Sequence, residues 1–112
     1  MIIDFNNIVE EERPHFQGGE QSYFAKMYAD DQNKIMSGRL EPGASIGMHT
    51  HVTNSEMIYV LEGTGTVLYN DGSEKVGPGT CHYCPMGHSH SLINDGTETL
   101  RFIAIVPSHA AL

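Results

Sequence analysis

Two imidazoles separated by one residue, in Met48-His49-Thr50-His51, are the first side chains here whose type and spacing point to chemistry. In an extended strand, side chains i and i+2 project to one face, so His49 and His51 stand together as a two-point clamp for a divalent metal. Glu56 follows the polar corner Val52-Thr53-Asn54-Ser55 and opens the next strand, from which its carboxylate folds back toward the same ion; His90, in a later strand, offers a third nitrogen. Three imidazoles and a carboxylate suit one divalent transition metal per chain (Fe, Mn, Ni, Co, Cu or Zn) and are too rich in nitrogen for Ca or Mg. Four protein donors on a six-coordinate ion leave two positions for water, dioxygen or a bidentate ligand, and an open position distinguishes catalytic from structural sites.

The elements that must position these residues are strands. No segment shows a sustained 3.6-residue apolar period with caps, whereas short alternating or apolar runs recur between turn residues. Strands are predicted over residues 2–5, 23–28, 34–40, 46–51, 56–62, 65–69, 74–76, 81–84, 90–93 and 100–106. Many short, evenly spaced strands predict an all-β sandwich or barrel. Asn70-Asp71-Gly72-Ser73 and Asn94-Asp95-Gly96-Thr97 read as hairpin turns, with Asp-Gly supplying positive φ. Glu41-Pro42-Gly43 and Gly77-Pro78-Gly79 mark two further turns. The polar stretch 6–21 reads as a loop or edge segment wrapping the barrel.

Strand parity sorts the remaining candidates. In Thr80-Cys81-His82-Tyr83-Cys84, either Tyr83 or the His82/Cys84 pair looks into the cavity. His82 and Tyr83 are therefore candidate acid/base groups or hydrogen-bond partners of the ligands, with ordinary packing the simpler expectation. His88 belongs to a second His-x-His with His90, but it adjoins Gly87, where the chain is still turning, and is expected mainly at the rim. Cys81 and Cys84 form a C-x-x-C spacing, yet residues three apart on a strand face opposite ways with Cα atoms roughly 10 Å apart, too far for a disulfide. Two reduced structural thiols are expected. Ile58 and Val60 share the parity of Glu56 and should make the wall near the metal apolar, with Met57 and Tyr59 facing the other way.

The spacing Gly43-x5-His49-x-His51-x4-Glu56-x6-Gly63, followed by Gly79-x5-Pro85-x-Gly87-x2-His90-x3-Asn94, resembles the two conserved motifs of the cupin superfamily at every fixed position. The resemblance implies a double-stranded β-helix, or jelly-roll barrel, with a metal at its centre. Carried over position by position, it places the ligands on His49, His51, Glu56 and His90 and the turn glycines on Gly43, Gly63, Gly79 and Gly87. It further implies a single cupin domain over 1–112, with the barrel core at about 34–106 and residues 1–33 as flanking strands and loop. Small stand-alone members of the family are commonly dimeric, so a homodimer is expected.

Composition narrows the partners. Among 112 residues, 14 acidic groups face six basic ones, for a formal charge of −8. Such a surface repels phosphate backbones and anionic membranes, and the six cations are scattered, so no nucleic acid is expected as partner. The start, Met1-Ile2-Ile3-Asp4-Phe5, lacks the basic and apolar regions of a signal peptide, and a cytoplasmic location is expected. A small-molecule ligand in the barrel is the remaining partner class. The fold alone does not choose among activities. The leading reading is a metal-dependent enzyme of dioxygenase or other oxidoreductase type acting on a small organic molecule. A non-catalytic binding or sensing protein and a metal-dependent isomerase or lyase are the alternatives. A sugar-phosphate isomerase would need inward cations, for which Arg39 and Arg101 are the candidates.

Overall fold

The computed structural model describes residues 1–109, and its regular structure is almost entirely strand. In chain order these are β1 (Glu11–Pro14), β2 (Ser22–Ala29), β3 (Asn33–Leu40), β4 (Ser45–Thr50), β5 (Glu56–Glu62), β6 (Gly65–Tyr69), β7 (Gly72–Val76), β8 (Cys81–Cys84), β9 (Ser89–Ile93) and β10 (Leu100–Pro107). They form two antiparallel sheets, β1-β2-β3-β10-β5-β8 and β4-β9-β6-β7, in the expected jelly roll. Alternation dictates the packing. Along β10, Leu100, Phe102, Ala104 and Val106 are buried while Arg101 is exposed; its neighbour β3 turns Met36 and Leu40 inward to meet them. On β5, Ile58 and Val60 face the core with Glu56, and Tyr59 lies exposed outside. No helix among the described residues is long and apolar enough to cross a membrane.

The N-terminus departs from expectation. Residues 2–5 form no strand; the Asp4 carboxylate accepts from the backbone N–H of Asn6 at 3.0 Å and caps a 3₁₀ turn over Phe5–Asn7. A short side-chain acceptor bonding its own neighbourhood competes with a ladder, and Ile2, 91% exposed, has no core to pack against. Within the stretch expected as loop or edge, β1 is the edge strand of the six-stranded sheet.

Turn chemistry also differs in detail. The β6–β7 hairpin has the two-residue loop Asn70-Asp71, and its positive φ falls on Asn70 (49°) rather than on Gly72. Asn94-Asp95-Gly96-Thr97 is not a hairpin at all, because β9 and β10 belong to different sheets and this segment carries the chain between them. The four motif glycines do adopt left-handed φ, from 81° at Gly63 to 89° at Gly87, where a Cβ would be strained. As expected, Cys84 is buried and Cys81 exposed, on opposite faces of β8, and both are free thiols.

Two features of β4 shape the interior. Ile46 pairs with Leu92 and His49 with His90, so three residues of β4 span two of β9 and the strand carries a bulge at Gly47-Met48. Simple alternation would send Ile46 and His49 to opposite faces; the bulge lets both line one cavity. Gly47 also lies against the backbone of Gln17 and Gly19, so a Cβ there would overlap the Gln17 carbonyl. That close approach seats the N-terminal segment on β4.

Asn94 is fully buried between the sheets. Its amide donates to the Leu40 and Glu98 carbonyls, both at 2.8 Å, and its Oδ1 accepts from the Gly96 N–H at 3.0 Å. Asn94→Ala removes all three and leaves buried backbone groups unpaired, so urea unfolding should show a loss of roughly 2–4 kcal/mol.

Candidate metal centre

His49 from β4, His51 just beyond it, Glu56 at the start of β5 and His90 in β9 bring their donor atoms to one point inside the barrel. His90 Nε2 lies 2.9 Å from His51 Nε2 and 3.1 Å from His49 Nε2. Glu56 Oε1 lies 2.9 Å from His90 Nε2, 3.2 Å from His51 Nε2 and 3.9 Å from His49 Nε2. These four residues are the ligand set expected from sequence, and the structure brings all four together.

The hydrogen bonds on the far side of each ring decide what the cluster can hold. His49 Nδ1 donates to the Gly47 carbonyl at 2.8 Å. His51 Nδ1 donates to Asn54 Oδ1. His82 Nδ1 donates to Glu74 Oε1 at 2.9 Å, which leaves His82 Nε2 to accept from His90 Nδ1 at 3.0 Å. In the neutral rings every Nε2 is then a bare lone pair, and three lone pairs and a carboxylate oxygen crowd one point with no proton among them. A cation is what such a cluster fits. Ligands about 2.1 Å from an ion and at right angles stand about 3.0 Å apart, and opposed ligands about 4.2 Å apart. Four of the five separations match the first value, and Glu56–His49 approaches the second.

Electrostatics agrees with this set. Burial alone would push the Glu56 carboxyl up, but His49, His51 and His90, which donate to it once protonated at Nε2, hold it well below the usual carboxylate range. The hydrogen bond that a protonated His51 would give Glu56, opposed by burial and aided by Asn54, raises His51. Burial lowers His90, against the pull of Glu56. Cys84, buried and facing the Glu56 charge, is pushed up to about 11, which keeps it an inert thiol.

The other candidates separate cleanly. His82 is buried and bonded to His90, whereas Tyr83 is exposed on the outer face of β8 and does not enter the cavity. The parity question left open by sequence is decided by register: His82 pairs with inward Ile58 and Cys84 with Glu56. His88 does not reach the cluster; its Nδ1 accepts from the Tyr69 hydroxyl at 2.6 Å, and the Tyr69 ring lies against both His88 and His82. His15 and His109 make loop hydrogen bonds, to the Gly19 carbonyl and the Ser55 hydroxyl. Arg39 and Arg101 do not point inward: Arg39 is held by Glu10 and Glu41 and stacks on Phe24, and Arg101 sits near Glu62 at the surface.

A cavity of about 460 Å³ opens onto His49, His51 and Glu56. Tyr23, Met27, Met36, Ile46 and Val106 make much of its wall apolar, and Arg13 and Lys34 are its cations. Sequence reasoning missed Asn54, Glu74 and Arg13. Only Asn54, two residues before Glu56 in the polar corner, carried a local signal; Glu74 acts across the gap between the sheets and Arg13 from the edge strand β1, which no spacing reveals.

The family model for the cupin domain matches residues 36–106. The chain belongs to the cupin family. An oxalate-binding protein of Thermotoga maritima is 27% identical over 112 residues, spanning 95% of this cupin and 93% of the relative. A crystal structure described as a predicted oxalate decarboxylase, also from Thermotoga maritima, superposes with a TM-score of 0.90 at 24% identity, over 96% of this chain and 99% of the other. A sugar phosphate isomerase of the cupin superfamily from Silicibacter pomeroyi superposes at 0.79 with 20% identity, over 96% and 75% of the two chains. Both superpositions show the shared fold.

Protons and metal compete for the same Nε2 lone pairs, while Glu56 stays ionised. Metal content after equilibration should therefore fall as pH drops through about 6.5, beginning somewhat higher because His51 is raised. Content unchanged down to pH 4 would rule out imidazole ligation.

Proposed function

We propose that this cupin holds one divalent transition metal on His49, His51, Glu56 and His90 and uses it to bind a small carboxylate-bearing anion of the oxalate class. The observation that carries the reading is the set of three proton-free Nε2 atoms and one carboxylate oxygen at right-angle spacing. A six-coordinate ion in that frame keeps two adjacent positions, which suits two oxygens of one ligand. Arg13 and Lys34 give the cavity of an otherwise acidic protein its positive charge, favouring an anion there. The oxalate-binding relative supports the same ligand class.

A second reading is metal-dependent oxidoreductase or dioxygenase chemistry on such a ligand. The bound metal would act as Lewis acid and as the place where dioxygen is activated. Its support is the cavity lining, where the carboxylate and both imidazoles belong to the ligand set and the Tyr23 phenol is buried against Met36 sulfur. Outside the ligand set the cavity offers no carboxylate or imidazole as a separate acid or base, only Arg13, Lys34 and the buried Tyr23 phenol, whereas oxidation at the metal needs none. The sugar-phosphate isomerase reading loses Arg39 and Arg101, and its phosphate would have to rest on Arg13 and Lys34 instead.

The same chain is proposed to work as a homodimer. Met57, Tyr59, Tyr83 and Ile103 adjoin on the outer face of β5, β8 and β10. In a chain of charge −8, this uncharged patch is where a second copy can approach without repulsion.

Calorimetric titration of oxalate into Mn(II)-loaded protein should show one site per chain, absent from the metal-free protein and from His51→Ala, which still folds because sheet packing holds the barrel. Equal oxalate binding with and without metal would defeat the proposal, and oxygen uptake on adding ligand would select the second reading. Sedimentation equilibrium should give twice the chain mass, reduced to one by Tyr83→Glu; a monomeric parent protein would remove the dimer.

A further inference from the structure

His90 is the ligand whose outward partner is neither backbone nor a local turn. Its Nδ1–H meets His82 Nε2 at 3.0 Å, and His82 passes its own Nδ1–H to the Glu74 carboxylate at 2.9 Å. The polarity of this chain is fixed at both ends: the carboxylate only accepts, and a metal on His90 Nε2 requires the proton on Nδ1. His82 and His90 are 3% and 1% exposed, whereas the Glu74 side chain is half in solvent. The Tyr69 ring packs edge-on against His82 at 5.3 Å and closes it off from water. Neither His82, His90 nor Glu74 lines the ligand cavity, so the chain leaves the centre through the opposite wall. It crosses between sheets there: His82 is on β8, the last strand of one, and Glu74 on β7, the last strand of the other.

We propose that Glu74 and His82 are positioning residues that set the tautomer and donor strength of His90 by a carboxylate–imidazole–imidazole relay reaching from the far surface to the metal. A carboxylate that polarises His82 makes it a better acceptor, and a better acceptor on Nδ1–H raises the electron density at Nε2. The relay rests on the metal-centre reading above. The bland alternative is a stitch that only pins β8 to β7.

The test uses Zn(II) as a diamagnetic probe, with affinity from competition against a chromophoric chelator and the buried His90 Nδ1–H followed as a downfield proton resonance. The wild-type protein should bind one equivalent and show the resonance. Glu74→Gln, an exposed change that keeps an acceptor and removes the charge, should move the resonance upfield and weaken Zn(II) several-fold. His82→Phe should abolish the resonance and weaken Zn(II) by about 10–100-fold, with partial recovery in His82→Gln, whose amide oxygen can accept. Wild-type Zn(II) affinity in His82→Phe together with an unmoved resonance in Glu74→Gln would overturn the relay and leave the metal centre standing. So would equal losses of melting temperature with and without Zn(II) at unchanged affinity, the mark of a stitch. A second equivalent of Zn(II) that disappears in Cys84→Ser would overturn it too, because His82, Cys84 and His90 would then hold an ion of their own. No Zn(II) bound by the wild-type protein would sink the centre and the relay together.

Discussion

Each imidazole of the centre is pinned from behind by a hydrogen bond from Nδ1, and the rest of the arrangement depends on those three bonds. An unconstrained histidine offers either nitrogen to a metal and rotates about two torsions. Here the Gly47 carbonyl, the Asn54 amide oxygen and the His82 ring each claim one Nδ1–H, so each Nε2 can only face inward without a proton. The three partners come from different levels of structure. Gly47 is part of the β4 bulge, Asn54 of the corner before β5, and His82 of the opposite sheet. Losing any one frees a ring, and a centre of four donors tolerates little looseness.

That pre-orientation has a thermodynamic cost, which explains why the surroundings are so strongly determined. A carboxylate nine-tenths buried with three lone pairs against it is an unfavourable cluster in the absence of a cation. Without metal, the site can relax only by taking protons or by moving apart, and the β4–β9 pairing of His49 with His90 resists movement. Metal binding and barrel rigidity would therefore reinforce one another. The sheets hold donors at a spacing they would not choose, and an ion would relieve the repulsion the sheets impose.

Much of this was legible in the residue order because the metal motif is local. His49-x-His51 needs only strand parity, and Glu56 only a short corner, whereas the assignment of His90 and the jelly roll came from the resemblance of the two spaced motifs to the cupins. What was not legible is whatever depends on register between strands. The bulge at Gly47-Met48 is invisible without knowing that β9 lies beside β4. The inward choice of His82 over Tyr83 follows from pairing with Ile58 and Glu56, which sequence parity leaves open by one residue. Residues 2–5 misled for the opposite reason: two isoleucines look like a strand, but Asp4 satisfies the local backbone and no partner strand is present to reward extension.

The division of labour along the chain has a consequence for specificity. The donors and their motif glycines lie within 36–106, the segment that defines the family. Arg13, Phe16, Tyr23, Met27 and Lys34, which line the cavity, all precede it. Tyr23, Met27 and Lys34 reach the cavity from β2 and β3, while Phe16 lies next to the Gln17–Gly19 backbone that Gly47 lets dock on β4, beside the very bulge that aims His49 inward. One glycine thus serves both halves: its carbonyl fixes a metal ligand and its missing side chain admits the segment that walls the cavity. A change in the N-terminal segment would then alter the shape and charge of the cavity without touching a donor atom. The family segment supplies nearly all the rest of the wall, Met36, Ile46, Thr50, Asn54 and Val106 among it, but neither of the cavity's cations.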